Sequence, residues 1–246
     1  MSTTLSVKTV LPRPIRTGLR RIAGIDDLHA RIDELEQRLA ESRDDTWDRS
    51  RARWREASPT TNLTWDEELT GEAFIAKVAA KGGFGPETDV LEIGPGYGRL
   101  LRECLGTGAE FRSYLGVDLS AENVAHLTES FGTDAISFVN ADIENVELDR
   151  EVSLVISSLT LKHIYPSFEP ALANVARFVR SGGTFVIDLI EGDRLYWEHD
   201  RATYIRHYSR DEVREILERI GLTDISFDEV DHSPGRTRLL VVATRP

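Results

Sequence analysis

The residue types and spacing best suited to chemistry occur in one decapeptide, VLEIGPGYGR, at 90–99. Gly94, Gly96 and Gly98 occupy alternate positions directly after a short apolar run. A glycine turn between a strand and a helix leaves backbone N–H groups unpaired and has no side chains to keep a ligand away. The carboxylate of Glu92 stands just before the turn and can complement a positive charge. The decapeptide therefore predicts a site where a compact ligand lies against the main chain.

The loop departs from the fingerprint of dinucleotide-binding folds. That fingerprint is G-x-G-x-x-G, whereas Arg99 occupies the position of its third glycine here. This departure weakens the interpretation as a nicotinamide dinucleotide site. A second acid, Asp118, follows the next apolar run, 20 residues beyond Gly98. A carboxylate at that place can accept both hydroxyls of a ribose.

The elements that must position these residues alternate along the chain. Helical patterns begin near Ser120 and Phe168, the latter running to residue 180, and a third covers 211–221. They separate short apolar runs, which predicts a parallel sheet with helices on both faces. Two final runs joined near Pro234 predict a hairpin that makes the last strand antiparallel. The predicted strands are 89–93, 113–117, 136–140, 153–158, 183–190, 222–230 and 237–245.

The N-terminal third differs from the rest of the chain. We expect a flexible basic arm over 1–24, a helical extension or lid over 25–80 and the main domain over 81–246. An apolar helical stripe in the extension either packs on the same chain or pairs two copies in a homodimer. Tryptophans cluster there as well, as core residues or as a lid over a cleft. The stripe is Ile25, Leu28, Ile32, Leu35 and Leu39, and the tryptophans are Trp47, Trp54 and Trp65.

Composition limits the partners that the chain can have. Its 246 residues carry a net charge of -12, which argues against a nucleic acid as the main partner. No stretch approaches the ~20 apolar residues of a membrane span, so no stable membrane insertion is expected. No secretory signal is visible, and a single cysteine, Cys104, excludes an intramolecular disulfide. These features favour a cytoplasmic location.

Five segments resemble, in the right order, the motifs of the class I S-adenosylmethionine-dependent methyltransferases. They are VLEIGPGYGRL, YLGVDLS, VNADIEN, LVISSLTLKHI and VARFVRSGGTFVI, and the resemblance runs from about Asp89 to the C-terminus. It implies an α/β, Rossmann-like, seven-stranded and mostly parallel sheet. It also implies S-adenosylmethionine as the cofactor. The cofactor-binding residues that it implies are Glu92, Gly94, Pro95, Gly96, Asp118, Leu119, Asp142, Ile143 and Ser157.

Each implied role suits a part of the cofactor. Asp118 would accept the ribose hydroxyls, and Asp142 would accept from the adenine amine beside the backbone N–H and apolar wall of Ile143. Glu92 would hold the ammonium group directly or through water. The bare turn at Gly94 and Gly96 would admit the methionine portion.

The acceptor side rests on the segments after the fourth and fifth predicted strands. His163 follows the fourth strand and is either a general base or a structural loop residue. Residues 188–209 are either an insertion covering the acceptor or a helix and loop packed on the sheet edge, and their aromatic and polar residues suit a sugar or a polyhydroxylated natural product. Ser157 and Ser158 end the fourth strand without a carboxylate, so no metal is expected. The other candidate catalytic residues are Glu191, His199 and His207.

The favoured hypothesis is an O-methyltransferase acting on a small hydroxylated molecule, a saccharide or a secondary metabolite, with His163 assisting in-line transfer. An N-methyltransferase of a small amine or amino sugar is the nearest alternative. A non-catalytic, cofactor-binding scaffold that works through its N-terminal helix is the second, since fold alone does not determine function.

Overall fold

The computed structural model describes residues 31, 32, 35, 45–59, 71–233 and 236–246. The chain divides into two units, Met1–Asp48 and Arg49–Pro246. In the first unit, Ile32 and Leu35 of the predicted stripe are helical and exposed. Ile25, Leu28, Leu39, Trp65 and the predicted arm at 1–24 lie outside the described residues. Dimerisation through this stripe therefore stays a prediction.

The second unit alternates helices and strands as predicted. Its helices are α1 (49–55, part of a helix described over 45–55), α2 (Glu72–Ala80), α3 (Arg99–Thr107), α4 (Ala121–Phe131), α5 (Glu169–Ala176) and α6 (Arg210–Arg219). Its strands are β1 (Asp89–Ile93), β2 (Ser113–Asp118), β3 (Ile136–Asn140), β4 (Val152–Ser157), β5 (Val179–Glu191), β6 (Leu195–Trp197), β7 (Tyr204–Tyr208), β8 (Thr223–Ser233) and β9 (Arg236–Thr244).

The sheet has the predicted α/β topology. Strands β3, β2, β1, β4 and β5 lie side by side in that order and are parallel. Strand β9 is antiparallel to β5, and β8 is antiparallel to β9. The prediction of a mostly parallel, Rossmann-like sheet with an antiparallel last strand is confirmed. The chain leaves β1 toward β2 and returns beside β1 as β4, so a crevice opens at the carboxyl ends of these strands.

Apolar residues cover the sheet on both faces because side chains alternate along a strand. Leu91 and Ile93 of β1 belong to one core cluster, together with Leu172 of α5. Val90 points the other way and belongs to a second cluster with Leu100 of α3. All five residues of β1 are buried, as expected for a central parallel strand. This packing holds the end of β1, and with it the glycine turn, in a fixed place.

The clearest difference from the prediction lies in residues 188–209. The structure has a hairpin of β6 and β7 there, which rules out the alternative of a helix and loop, and the described residues form a sheet of nine strands rather than seven. Ile190 of β5 pairs with Arg238 of β9 on one edge and with His207 of β7 on the other. Because β4 shares the edge of β5 used by β7, the hairpin lies beyond the end of β4. It therefore stands at the carboxyl edge of the sheet, where the crevice opens.

The helix predicted to run through residue 180 is shorter than expected. Helix α5 ends at Ala176, and Val179 already pairs with Val152 of β4. The β-branched Val179 favours the strand that its neighbour offers, so tertiary pairing overrides the helical pattern.

Candidate active site

A cavity of about 530 Å³ opens at the carboxyl ends of β1, β2 and β4. Its wall is formed by the glycine turn, the end of β2, the segment after β4, helix α1 and the β6–β7 hairpin. The volume lies within the range of about 300–1,000 Å³ typical of small-molecule sites. The cavity thus occupies the place where open α/β sheets bind ligands.

The glycine turn has no room for side chains, and its backbone adopts φ angles that favour glycine. Gly94 has φ +67, which side-chain-bearing residues rarely adopt, and a Cβ there would lie 2.4 Å from Thr160 Cγ2. Gly98 has φ +85, and a Cβ there would lie 2.8 Å from Leu127 Cδ2. These two positions require glycine for the turn to form in this place.

The backbone N–H groups of the turn differ from the expectation. The N–H of Gly94 donates to Val117 O at 2.9 Å, and the N–H of Gly98 donates to Pro95 O at 2.9 Å. The N–H of Gly96 donates to Asp118 Oδ2, also at 2.9 Å. The N–H groups of the three glycines are therefore already bonded: those of Gly94 and Gly96 tie the turn to β2, and that of Gly98 closes the turn on itself. The three glycines contribute an open surface, and the prediction of free donors applies only to the N–H groups at the start of α3.

Asp118 ends β2 and holds the turn to the start of α4. Its Oδ1 accepts from the Ser120 N–H at 2.9 Å and from Asn123 Nδ2 at 3.4 Å, in addition to the bond from Gly96. Burial raises the pKa of the Asp118 carboxyl, and the backbone bonds from Ser120 and Gly96 act in the opposite direction. A carboxylate has about four acceptor sites, so capacity remains for a hydroxyl in the cavity.

Asn123 adds a second acceptor beside Asp118. It is buried and lines the cavity, and among the described residues none donates to its Oδ1. A buried amide oxygen without a donor is costly unless a ligand supplies one. The pair of Asp118 and Asn123 therefore fits a ligand group with several donors, such as a ribose diol.

Glu92 lies at the other end of the turn and is buried. Tyr114 OH donates to its Oε2. Burial raises the pKa of Glu92 to about 7, while the Tyr114 bond and the charge of Arg99 lower it. A buried carboxylate that is costly to ionise gains from a cation placed beside it. Glu92 thus fits the ammonium end of the predicted cofactor.

The Asp142 side of the cavity is closed by helix α1. Arg51 Nε donates to Asp142 Oδ2 at 2.7 Å, and its Nη2 is ion-paired with Glu144. Arg51 is buried, and it lines the cavity together with Asp142 and Ile143. Sequence reasoning did not find Arg51, because its partners lie about ninety residues away and no motif marks it. Asp142 therefore faces the cavity with one oxygen already bonded to a cation.

A buried ionic network lies beneath the segment that follows β4. Arg99 Nη2 donates to Ser158 Oγ at 2.8 Å, and that hydroxyl donates to Asp188 Oδ2 at 2.6 Å. Arg238 Nη2 donates to the same oxygen at 2.5 Å, and the Leu159 N–H donates to Asp188 Oδ1 at 2.7 Å. The network fixes where the chain leaves β4. Arg99, noted in the sequence only as a missing glycine, is one of its members.

His163 belongs to the short 3-10 helix Leu161–His163 and lines the cavity. Its Nδ1 lies 2.7 Å from Tyr204 O, on the hairpin. The Trp54 ring of α1 lies 4.5 Å from the imidazole, between centroids. His163 is only 8% exposed, because α1 and the hairpin pack against it from two sides. Lys162 and His207 line the same cavity.

The other predicted residues fall in three places. Pro95 and Leu119 line the cavity with the residues above. Ser157 is buried and donates to Ile93 O at 3.1 Å, tying β4 to β1 without lining the cavity. Glu191 pairs with Arg210 at 2.7 Å, and His199 lines a neighbouring cavity that shares Tyr196 and Glu198 with the first. The structure therefore brings His163 and His207 to the site, and Glu191 and His199 are not among the residues that line it.

Within the described residues, no cluster of three or more His, Cys, Asp or Glu side chains has an arrangement suited to a metal ion. None of the helices described has the length and apolar character needed to cross a membrane.

Residues 91–187 match the model of the family described as a methyltransferase domain. The chain is 34% identical over 113 residues to the phthiotriol/phenolphthiotriol dimycocerosates methyltransferase of Mycobacterium tuberculosis (strain ATCC 25177 / H37Ra). That match covers 44% of this chain and 42% of the relative, so it spans less than half of either protein.

Solved structures share the fold. The Burkholderia thailandensis 1,6-didemethyltoxoflavin-N1-methyltransferase, with 1,6-didemethyltoxoflavin and S-adenosylhomocysteine bound, superimposes with a TM-score of 0.61 at 22% identity, covering 88% of this chain and 89% of that one. The glycopeptide N-methyltransferase MtfA, in complex with S-adenosylhomocysteine, has a TM-score of 0.60 at 18% identity, with coverages of 74% and 92%.

Fold and cavity together define an α/β domain with a site of ligand size at the carboxyl edge of its sheet. Residues 91–187 match a methyltransferase domain, and the fold is that of solved S-adenosylmethionine-dependent methyltransferases. The predicted family resemblance and the predicted cofactor are thereby confirmed.

Proposed function

We propose that the protein transfers the methyl group of S-adenosylmethionine to a hydroxyl of a small molecule, with His163 accepting the hydroxyl proton. The observation that carries this proposal is the position of His163 Nδ1, 2.7 Å from Tyr204 O. A carbonyl oxygen only accepts hydrogen bonds, so Nδ1 carries a proton, and in the neutral imidazole that proton is the ring's single N–H. The remaining nitrogen, Nε2, is then the basic one. A base of this kind is needed for a hydroxyl acceptor.

The residues around the cavity divide the work of holding the cofactor. Asp118 and Asn123 would hold the ribose, Asp142 and Ile143 the adenine, and Glu92 the ammonium group. The cofactor supplies a methyl group already activated by a sulfonium leaving group. The protein therefore has to align the acceptor and remove its proton.

The surroundings of His163 support its role as a base in two ways. The Tyr204 carbonyl sets the tautomer and the ring plane, and the Trp54 ring packs against the imidazole. Both contacts restrict ring rotation, which keeps Nε2 in one direction. Such pre-organisation lets a general base contribute about 10²–10⁴-fold in rate.

Exchange of His163 tests the proposal. His163→Ala should lower turnover of a hydroxyl acceptor by ~10²-fold while S-adenosylhomocysteine binds as before. His126→Ala, on α4 and outside the cavity, is the matched control. Turnover is measured as S-adenosylhomocysteine release with a panel of phenols, sugars and amines. Normal turnover in His163→Ala would contradict the role of this residue.

The names of the two solved structures favour N-methylation as the second candidate, since both are N-methyltransferases. A neutral amine attacks without prior loss of a proton, so its methylation has no need of a base. Release of S-adenosylhomocysteine only with amines, at a rate that His163→Ala leaves unchanged, would select this alternative. A scaffold without activity would show no release with any acceptor.

A further inference from the structure

Every second side chain of the β6–β7 hairpin lines the cavity, as expected from the two-residue period of strands. Tyr196 and Ile205 are directly paired across the hairpin, and both line the cavity. The residues between the lining positions face away, as shown by Tyr204, whose hydroxyl donates to Pro166 O at 3.2 Å. The hairpin residues that line the cavity are Arg194, Tyr196, Glu198, Ile205 and His207.

Arg194 is the distinctive member of this set. Its guanidinium lies 5.4 Å from the Tyr196 ring centroid, and its backbone oxygen accepts from the His207 N–H at 2.7 Å. In the part of the chain that the structure describes, no carboxylate lies within ion-pair distance of Arg194. Two arginines that follow in the chain, Arg206 and Arg210, are each paired with a glutamate. Arg194 is therefore an exposed cation at the cavity mouth, oriented by an aromatic ring.

The charge of the cavity differs between its two ends. The cofactor end carries several carboxylates, among them Glu92, Asp118 and Asp142. The end formed by the hairpin carries the exposed guanidinium of Arg194, and among the described residues of the hairpin that line the cavity Glu198 supplies the carboxylate. The Arg194 guanidinium is the hairpin's cation at this end, and a guanidinium suits a planar carboxylate or a phosphate group.

We infer that the methyl acceptor is an anionic small molecule, whose carboxylate or phosphate is bound by Arg194 at the mouth of the cavity. The inference rests on the proposed function, because it names the class of acceptor used at the same site. The anion anchors the acceptor on the hairpin side, and its hydroxyl lies toward His163. Tyr196 and His207 offer flat faces for the body of the molecule.

Binding of matched probes to the protein loaded with S-adenosylhomocysteine tests the inference. The probes are 4-hydroxybenzoate against 4-hydroxybenzamide, and glucose 6-phosphate against glucose, measured by calorimetry. We expect at least one acid to bind about tenfold or more tightly than its neutral partner. A preference within the first pair indicates a carboxylate and a preference within the second indicates a phosphate.

Variants show whether Arg194 causes the preference. Arg194→Gln should remove most of it, while Arg150→Gln, which deletes an exposed arginine outside the cavity, should retain it. Glu198→Gln should tighten binding of the acid, because it removes the opposing charge. Equal affinities within both pairs, including no binding by any probe, would overturn the inference, as would a preference that survives Arg194→Gln. Binding of S-adenosylhomocysteine itself is measured first, and its failure would refute the proposed function rather than this inference alone.

Discussion

Replacing Glu92 with glutamine removes a charge that the fold buries. The pKa of Glu92 is raised from 4.5 to about 7, chiefly by burial. The folded protein therefore binds an additional proton, relative to the unfolded chain, between these two values. Stabilisation of this kind is fully present below the lower value and is lost as the pH rises to the upper one. The Glu92→Gln variant has no carboxyl group at this position, so its free energy of unfolding does not fall with pH for this reason.

The magnitude follows from the two pKa values. Between about pH 5 and about pH 8 the free energy of unfolding of Glu92→Gln should rise by about 2–3 kcal/mol relative to that of the wild type. The buried amide carries its own cost, because one of its donors needs a new partner. The cost of the buried amide does not depend on pH. It therefore shifts the difference in free energy of unfolding by a constant and leaves the pH dependence of that difference unchanged. Tyr114, Arg99 and Asp118 face Glu92 and are present in both proteins.

Urea unfolding at a series of pH values, followed by tryptophan fluorescence, measures this difference. Glu110→Gln, which neutralises an exposed carboxylate, reports the effect of losing one surface charge. A difference between Glu92→Gln and wild type that stays flat from about pH 5 to about pH 8 would refute the reasoning. The same variant should bind S-adenosylhomocysteine about tenfold more weakly, because the ammonium group loses its charged partner. Stability and affinity therefore change in opposite directions at high pH.

Asp118→Ala should weaken S-adenosylhomocysteine binding by about 2–3 kcal/mol in calorimetry, because a charged acceptor is lost; an unchanged affinity would exclude it from the ribose site. Gly94→Ala should lower both Tm and this affinity, because its Cβ meets Thr160 in a conformation strained by about 1–3 kcal/mol; wild-type values would contradict the close approach. Trp54→Leu should lower kcat about tenfold with cofactor affinity kept, because the imidazole of His163 loses the ring that restrains it. A parallel loss of affinity would place Trp54 in the cofactor site instead.

The sequence predicts the parts of the site that depend on local pattern. The turn at Gly94 needs a glycine for its φ, and Asp118 ends an apolar strand at a fixed distance from the turn. Both requirements involve neighbouring residues only, so they leave a readable signal. The order of the strands follows as well, because each apolar run alternates with a helical pattern.

The parts that the sequence did not reveal depend on distant pairing. The ion pair of Arg51 with Asp142 joins α1 to the loop after β3, and neither residue type predicts the other. Strand β6 has only three residues and exists because it pairs with β7. Glu191 was a catalytic candidate by position, yet Arg210 on the next helix binds it away from the cavity. Tertiary contacts of this kind decide the role of a charged residue more than its spacing does.

The central claim is that the turn after β1, with Asp118 at the end of β2, holds S-adenosylmethionine. Calorimetric titration of the full chain with S-adenosylhomocysteine tests it most directly. We expect one molecule to bind per chain with micromolar affinity or better, and the Asp118→Ala variant to bind far more weakly. Absence of heat and of any rise in Tm at about 1 mM ligand would contradict the account.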